Sequence, residues 1–274
     1  MNSHLKNKVI AITGTTGGLG KALSLELEKR GAKLALMDLD VEQVKKQATE
    51  LNALGLEVDI TDYESIKKAM AKVNDHYGQI DIVIANAGIT QIAPMTTTDE
   101  RDFSRVIDIN LNGSWRTFKA ALSYIEESKG YLAAICSMAS FVHCPLQASY
   151  AASKAGMLAV CNSIRLEVKH LGVDVGSYHP TFFPSPLMDN VTSDPVGHKL
   201  WGGNKEGPWK MITVEEVVDE ILNGLEDRAE LVVIPKRKTL VAKASGFFRR
   251  YIEKRGFKGN EVQEAIELAK SLSN

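Results

Sequence analysis

Several absences narrow the reading of this chain first. No run of eighteen apolar residues occurs in it, so no transmembrane helix is expected. Residues 1–8 (MNSHLKNK) lack an apolar region of signal-peptide length, and the expected location is the cytoplasm. Only 3 cysteines are present, Cys136, Cys144 and Cys161. They cannot form a disulfide framework, and their spacings fit no zinc site. Thiols in a reducing compartment are the simple reading, and no metal is expected. The formal net charge is −1, which offers no field for a nucleic-acid partner. Internal repeats and low-complexity segments are also missing. What remains is 274 residues, 44% hydrophobic and 24% charged, the composition of a globular protein with a well-buried core.

Apolar β-branched runs alternate with segments of helical period. Strands are expected at residues 8–13, 33–37, 55–58, 80–85, 130–136, 173–178 and 231–234. Helices are expected at 21–30, 41–53, 63–77, 100–126, 149–171 and 213–227. The alternation predicts βαβ units, hence a doubly wound parallel sheet of about seven strands with helices on both faces. Residues 1–235 read as a single domain. Residues 181–211, broken by proline and glycine, read as irregular.

In such sheets ligands sit beyond the carboxyl ends of the strands. The turn Gly14-Thr15-Thr16-Gly17-Gly18-Leu19-Gly20 joins a strand to a helix start, where free N–H groups and the helix dipole suit a phosphate. Asp38 ends the second strand. A carboxylate there suits the two hydroxyls of an adenosine ribose and repels a 2′-phosphate, which favours NAD over NADP; a turn or cap role is the alternative. Asp40 reads as the cap of the next helix. Tyr150 and Lys154 stand four apart and so share one helix face. An ammonium beside the phenol would lower its pKa toward working pH, where it can exchange protons. Asn110 is a poor helix former inside an expected helix; without further information it reads as a structural kink, and Ser137 as a strand-end cap.

Taken together, these segments resemble the short-chain dehydrogenase/reductase family, in its shorter single-domain form with a Rossmann-type fold, over residues 7–234. Thr13-Gly14-x-x-x-Gly18-x-Gly20 matches the family's nucleotide turn. Asn86-Ala87-Gly88 matches its Asn-Ala-Gly segment, although Ala85 replaces a usual Asn. Asn110, Ser137, Tyr150 and Lys154 match its catalytic set in order and spacing. The resemblance implies an NAD(P)-dependent oxidoreductase that interconverts an alcohol and a ketone or aldehyde. Tyr150 would be the acid/base, and Lys154 would tune it and hold the nicotinamide ribose. Ser137 would bind the substrate oxygen, and Asn110 would hold a water for proton relay. It implies a dinucleotide contacted by Gly14, Thr16, Gly18, Leu19, Gly20, Asp38, Asp59, Ile60, Asn86, Ala87, Gly88, Tyr150, Lys154, Pro180 and Ser185. It also implies a homodimer or homotetramer. One departure is Thr181, where the family usually has Gly after Pro180. A dinucleotide sensor and an epimerase or dehydratase on the same fold are the alternatives.

The substrate is expected to be an apolar, lipid-, steroid- or aromatic-like alcohol or ketone. It would be met by Ser137, Tyr150, His143, Phe182 and Phe183, with Leu187, Met188, Leu200, Trp201 and Trp209 nearby. The extension 236–274 begins with a basic stretch, 236–258, interleaved with Leu240, Val241, Phe247, Phe248, Tyr251 and Ile252. An amphipathic helix there could lie on an anionic membrane surface, pack on its own domain or pack on a second subunit.

Overall fold

The computed structural model describes residues 4–201, 204, 207–257 and 259–273. Seven strands form one sheet in the order β3-β2-β1-β4-β5-β6-β7. They are β1 (Val9–Thr13), β2 (Lys33–Asp38), β3 (Leu54–Glu57), β4 (Ile82–Ala85), β5 (Tyr131–Ile135), β6 (Asp174–Pro180) and β7 (Leu231–Ile234). Every pairing is parallel; Val9 stands beside Lys33 and Ile10 beside Ile82. The order reverses direction at β1 and β4, so the two strands that diverge there open a crevice at their carboxyl ends.

Alternation along each strand divides the core between the two faces. Ile10, Ile12, Leu34 and Leu36 pack against helices α1 (Gly18–Lys29), α2 (Val41–Glu50) and α9 (Val214–Glu226). Val9, Ala11, Ala35 and Met37 pack against α3 (Tyr63–Tyr77), α5 (Ser114–Ser128) and α6 (Ala148–Val168). Local chemistry places the helix starts: Asp40 accepts from the Gln43 N–H at 3.0 Å, Asp62 from Glu64 at 2.9 Å and Thr213 from Glu216 at 3.1 Å. These are side-chain caps for orphan N–H groups.

Three regions differ from the sequence expectation. The single helix expected over 100–126 is α4 (Glu100–Ile107), a π-helical segment (Asp108–Gly113) and α5. The segment expected to be irregular contains α7 (Pro186–Ser193) and α8 (Pro195–Trp201). Pro186 stands at the first turn of α7, where proline is tolerated. The basic stretch is not one helix. It is divided into a short 3-10 turn (Lys236–Lys238), α10 (Thr239–Lys243) and α11 (Ser245–Gly256), and α12 (Glu261–Ser273) follows. Lys258, its expected last residue, lies outside the described residues.

The extension folds back on its own chain. Ala265 and Ala269 of α12 are buried with Val196 and Leu200 of α8, while Leu240 and Phe247 stay exposed. Leu200 and Trp201, expected at the substrate, belong to this packing instead. The Trp201 ring lies 5.1 Å from Phe182, 5.7 Å from Trp209 and 5.7 Å from Phe257. No described helix is long and apolar enough to cross a membrane.

Candidate active site

The glycine turn after β1 is tied to the end of β4. Thr13 Oγ1 accepts from the N–H groups of Asn86 and Ala87, both at 3.1 Å. Asn86 Nδ2 donates to the carbonyls of Thr13 and Gly14, both at 2.9 Å. Gly14 has φ +70°, and a Cβ on it would lie 2.7 Å from Ala87 Cα. A Cβ on Gly20 would collide with the Gly14 carbonyl oxygen. Both positions therefore demand glycine. Helix α1 begins without a side-chain cap or an acidic residue in its first turn. Its first N–H groups form a cradle suited to an anion. Asp38 stands at the same edge, with Oδ2 accepting the Thr16 N–H at 2.9 Å and Oδ1 the Asp40 N–H at 3.2 Å. Asp59 Oδ1 holds the Thr61 N–H at 2.8 Å. These groups fit the pyrophosphate and adenosine ribose of a dinucleotide.

A cleft of about 1230 Å³ runs from this edge past β5 and β6 to the extension. Of the residues expected at the site, it is lined by Gly14, Thr16, Gly18, Leu19, Gly20, Asp38, Asp59, Ile60, Asn86, Ala87, Gly88, Ser137, Tyr150, Lys154, Pro180, Phe182, Phe183 and Ser185. Asn110 and His143 are not on its wall. His143 is exposed and its Nδ1 meets the Ala139 carbonyl at 3.3 Å, while the neighbouring Cys144 lines the cleft.

Tyr150 is half-buried on α6 and hydrogen-bonds to Ser137. Burial pushes its hydroxyl up to about 12, with the Ser137 bond pulling the other way. Lys154 Nζ lies 5.8 Å from the Tyr150 ring centre and donates to the Ile135 carbonyl at 2.8 Å. Burial draws its ammonium below the usual lysine range. The expected lowering of Tyr150 by Lys154 is thus outweighed, because the ammonium is turned to Ile135 and the phenol is desolvated. Ser137 Oγ also accepts the Ala139 N–H at 3.1 Å, so it caps a turn as well as meeting Tyr150.

Asn110 is fully buried in the π segment. Its Oδ1 accepts the Ile89 N–H at 2.8 Å; its Nδ2 donates to the Ile89 carbonyl at 2.9 Å and to Ser153 Oγ at 3.1 Å. Gly88 brings it to the lysine: a Cβ there would lie 3.1 Å from Asn110 Oδ1 and 3.5 Å from Lys154 Nζ. The widened turn aims the amide sideways, a common use of π segments. Asn110→Leu would strand both Ile89 backbone groups. Urea unfolding should show a loss of about 2 kcal/mol at unchanged slope.

Beneath Ser137 lies His179, fully buried. Its Nδ1 stands 3.1 Å from the Ser137 carbonyl and its Nε2 2.9 Å from Ser177 Oγ. A carbonyl only accepts, so the proton is on Nδ1 and Nε2 accepts from Ser177. Thr181 has an ordinary negative φ, so the usual glycine is not required, and its Oγ1 accepts from Lys238 Nζ at 3.0 Å. Ser185 Oγ accepts the Met188 N–H at 3.2 Å and so caps α7.

Cleft residues that the sequence reading missed include Arg105, Met138, Gln147 and Asn190 and, from the extension, Lys238, Val241, Tyr251, Ile252 and Arg255. No local signal marks the extension residues, since their place depends on the extension folding back.

Comparison with known proteins places this arrangement. The family model described as short chain dehydrogenase matches residues 8–196. The 3-oxoacyl-[acyl-carrier-protein] reductase FabG of Thermotoga maritima is 31% identical over 194 residues, covering 69% of this chain and 79% of that protein. The 2-(S)-hydroxypropyl-CoM dehydrogenase 3 of Xanthobacter autotrophicus is 28% identical over 249 residues, covering 85% and 94%. Among solved structures, a 3-ketoacyl-(acyl-carrier-protein) reductase from Brucella melitensis complexed with NADH superposes with a TM-score of 0.76 at 19% identity, covering 84% of this chain and 97% of that one. At that identity the likeness speaks for the fold.

Proposed function

The chain belongs to the short-chain dehydrogenase family and is an NAD(P)-dependent oxidoreductase, and on that premise we propose that it interconverts an apolar alcohol and its ketone or aldehyde, with NAD as the preferred cofactor. The observation that carries this reading is the convergence of Ser137, Tyr150 and Lys154 on one wall of a cleft whose other end is the glycine turn and Asp38.

The cofactor, when bound, donates or accepts the hydride. The chain does the rest. Gly14, Gly18, Gly20 and the first turn of α1 hold the pyrophosphate, with Thr16 and Leu19 beside them. Asp38 takes the adenosine ribose. Asp59, Ile60, Asn86, Ala87 and Gly88 flank the same path, and Pro180 and Ser185 flank the nicotinamide end. Ser137 orients the substrate oxygen by hydrogen bonding. Tyr150 exchanges a proton with that oxygen: neutral at working pH, its hydroxyl is ready to protonate the alkoxide formed from a ketone. Lys154 sits where it can hold a ribose hydroxyl, and Asn110 fixes the backbone of Ile89 beside it. Phe182 and Phe183 supply apolar surface for the substrate. Exposed Trp115 on α5 and Leu166 on α6 suit a homodimer or homotetramer joined through the long helices. The three free thiols accord with the cytoplasm.

The test is turnover at 340 nm with NADH and NADPH over a panel of apolar ketones and alcohols; absence of any turnover with either cofactor would sink the reading. Asp38 is tested separately. In Asp38→Ser the ratio of NADPH to NADH affinity, read by fluorescence titration, should rise about tenfold, the effect of removing roughly 1.4 kcal/mol of charge repulsion. An unchanged ratio assigns the ribose to another group.

A further inference from the structure

Helix α11 has two unlike faces. One is packed: Phe248 and Ile252, four apart, are half-buried, and the Gly256 carbonyl accepts from Trp209 Nε1 at 2.8 Å. The other is bare. Phe247, Arg250, Tyr251 and Lys254 succeed one another at spacings of three, one and three, which puts all four on a single stripe of the helix. All four are exposed, Phe247 at 94% and Tyr251 at 59%. A lone open aromatic is unremarkable on a protein surface, but two on one stripe, flanked by two cations, form an interaction patch.

The surroundings are positive. Residues 236–257 carry eight Lys or Arg against one acid, Glu253. That acid lies off the stripe and pairs with Arg249 at 2.9 Å. Arg250 and Lys254 have no carboxylate within ion-pair distance among the described residues. Helix α10 repeats the pattern in one turn, with Leu240 exposed and Lys243 exposed three places on. The acids of α12 stand on a helix packed against α8, where Glu264 pairs with Lys199. The whole chain has a net charge of −1, so this positive surface is local.

We propose that the exposed stripe of α11 docks on an anionic lipid bilayer, with Phe247 and Tyr251 entering the headgroup boundary and Arg250 and Lys254 meeting lipid phosphates. At 12 residues α11 is too short to span a bilayer and lies along its surface. The long stems of Arg250 and Lys254 let their charged heads reach the phosphates while the aromatic rings between them go deeper. A second copy of the chain fits the stripe less well. A two-fold contact would set the same patch against itself, cation facing cation. A bilayer offers an apolar layer and a negative surface together. The contact stands independently of the oxidoreductase reading, although Tyr251 also lines the cleft and so places the docked helix at its rim.

The test is co-sedimentation of the full chain with vesicles of phosphatidylcholine alone or with one third phosphatidylglycerol. Partition onto the anionic vesicles should be roughly tenfold stronger. It should be lost at about 1 M salt, where the screening length shrinks to about 3 Å. The variants are Phe247→Ser and the double Arg250→Gln/Lys254→Gln. The controls are Met95→Ser, at another exposed apolar side chain, and the double Lys45→Gln/Lys46→Gln on α2. A cation near the surface contributes about fivefold, so the double variant on α11 should lose at least tenfold. Phe247→Ser should lose about tenfold, and both controls should bind as wild type. Every substitution is at an exposed position, so thermal midpoints should match wild type. Wild-type partition that is equal on the two vesicles, absent from both, or retained in the double variant on α11 overturns the proposal. A dimer that Phe247→Ser dissolves, without vesicle binding, gives the stripe to a second copy instead. Vesicle binding with no turnover of any ketone or alcohol keeps the docking and removes the oxidoreductase reading. Turnover with no vesicle binding does the reverse.

Discussion

Replacing Tyr150 with Phe should lower kcat between about a hundredfold and ten-thousandfold, the range for loss of a positioned acid/base, while NADH binds within about threefold of wild type. The side chain is half-buried, and its hydroxyl engages Ser137. Ser137 Oγ still accepts the Ala139 N–H, and its O–H faces the open cleft, where water takes the place of the lost partner, so the thermal midpoint should stay in place. Steady-state kinetics beside a fluorescence titration checks the claim: equal losses of turnover and cofactor binding would make Tyr150 a cofactor ligand rather than the proton donor. The pH profile adds a sign. With the hydroxyl held at about 12 by burial, Tyr150 is protonated across the neutral range. Ketone reduction should be flat there. Alcohol oxidation, which needs the phenolate, should rise close to tenfold per pH unit. In Tyr150→Phe the rise in alcohol oxidation should vanish along with the activity.

The second large effect is an acid-labile contribution to stability from His179. Burial, its largest cause, and the nearby Lys154 ammonium bring the imidazole down to about 4, against a partly opposing bond to the Ser137 carbonyl. An unfolded chain takes up this proton near the ordinary value of about 6.5. Between those values the unfolded state binds more protons than the native one, so stability falls as pH falls. Above pH 6.5 both states are neutral and the contribution is constant. Over the window the loss should reach about 3 kcal/mol. His179→Gln keeps a neutral hydrogen-bonding side chain and removes the titration. Urea unfolding of both proteins from pH 7 to pH 4 should show wild type losing about 3 kcal/mol more than the variant. Equal losses would mean that the imidazole takes up its proton at the same pH in both states.

Much of the fold was legible because its determinants are local. Alternation along β1 and β2 assigns Ile10 and Leu34 to one face and Val9 and Ala35 to the other. Asp40, Asp62 and Thr213 cap helices through N–H groups two or three residues away, within reach of pattern reading. Right-handed crossovers then put the helices on the two faces of the sheet, while the strand order is seen only in the fold. The glycine turn, Asp38 and the Ser137, Tyr150 and Lys154 set were visible as types at set spacings, and strand ends in such a sheet must share one edge.

What the sequence left open depended on contacts between distant residues. The π segment exists where Asn110 answers the backbone of Ile89, and nothing within 100–126 specifies that partner. His143 and Cys144 are adjacent, and only the turn after Ser137 decides that the cysteine meets the cleft. Ser185 stays on the cleft wall, and only packing decides that its hydroxyl also caps a helix at Met188. Lys238 meets Thr181 across 57 positions, and Arg255 reaches the cleft because Trp209, Phe257 and α12 fold the extension back. Sequence by itself determined the layered sheet and which residue types meet at its carboxyl edge, the glycine turn, Asp38 and the Ser137, Tyr150 and Lys154 set, since period, capping and spacing are short-range. Tertiary structure alone decided that the extension lines one end of the cleft, since burial of an apolar face depends on which distant surface arrives to cover it.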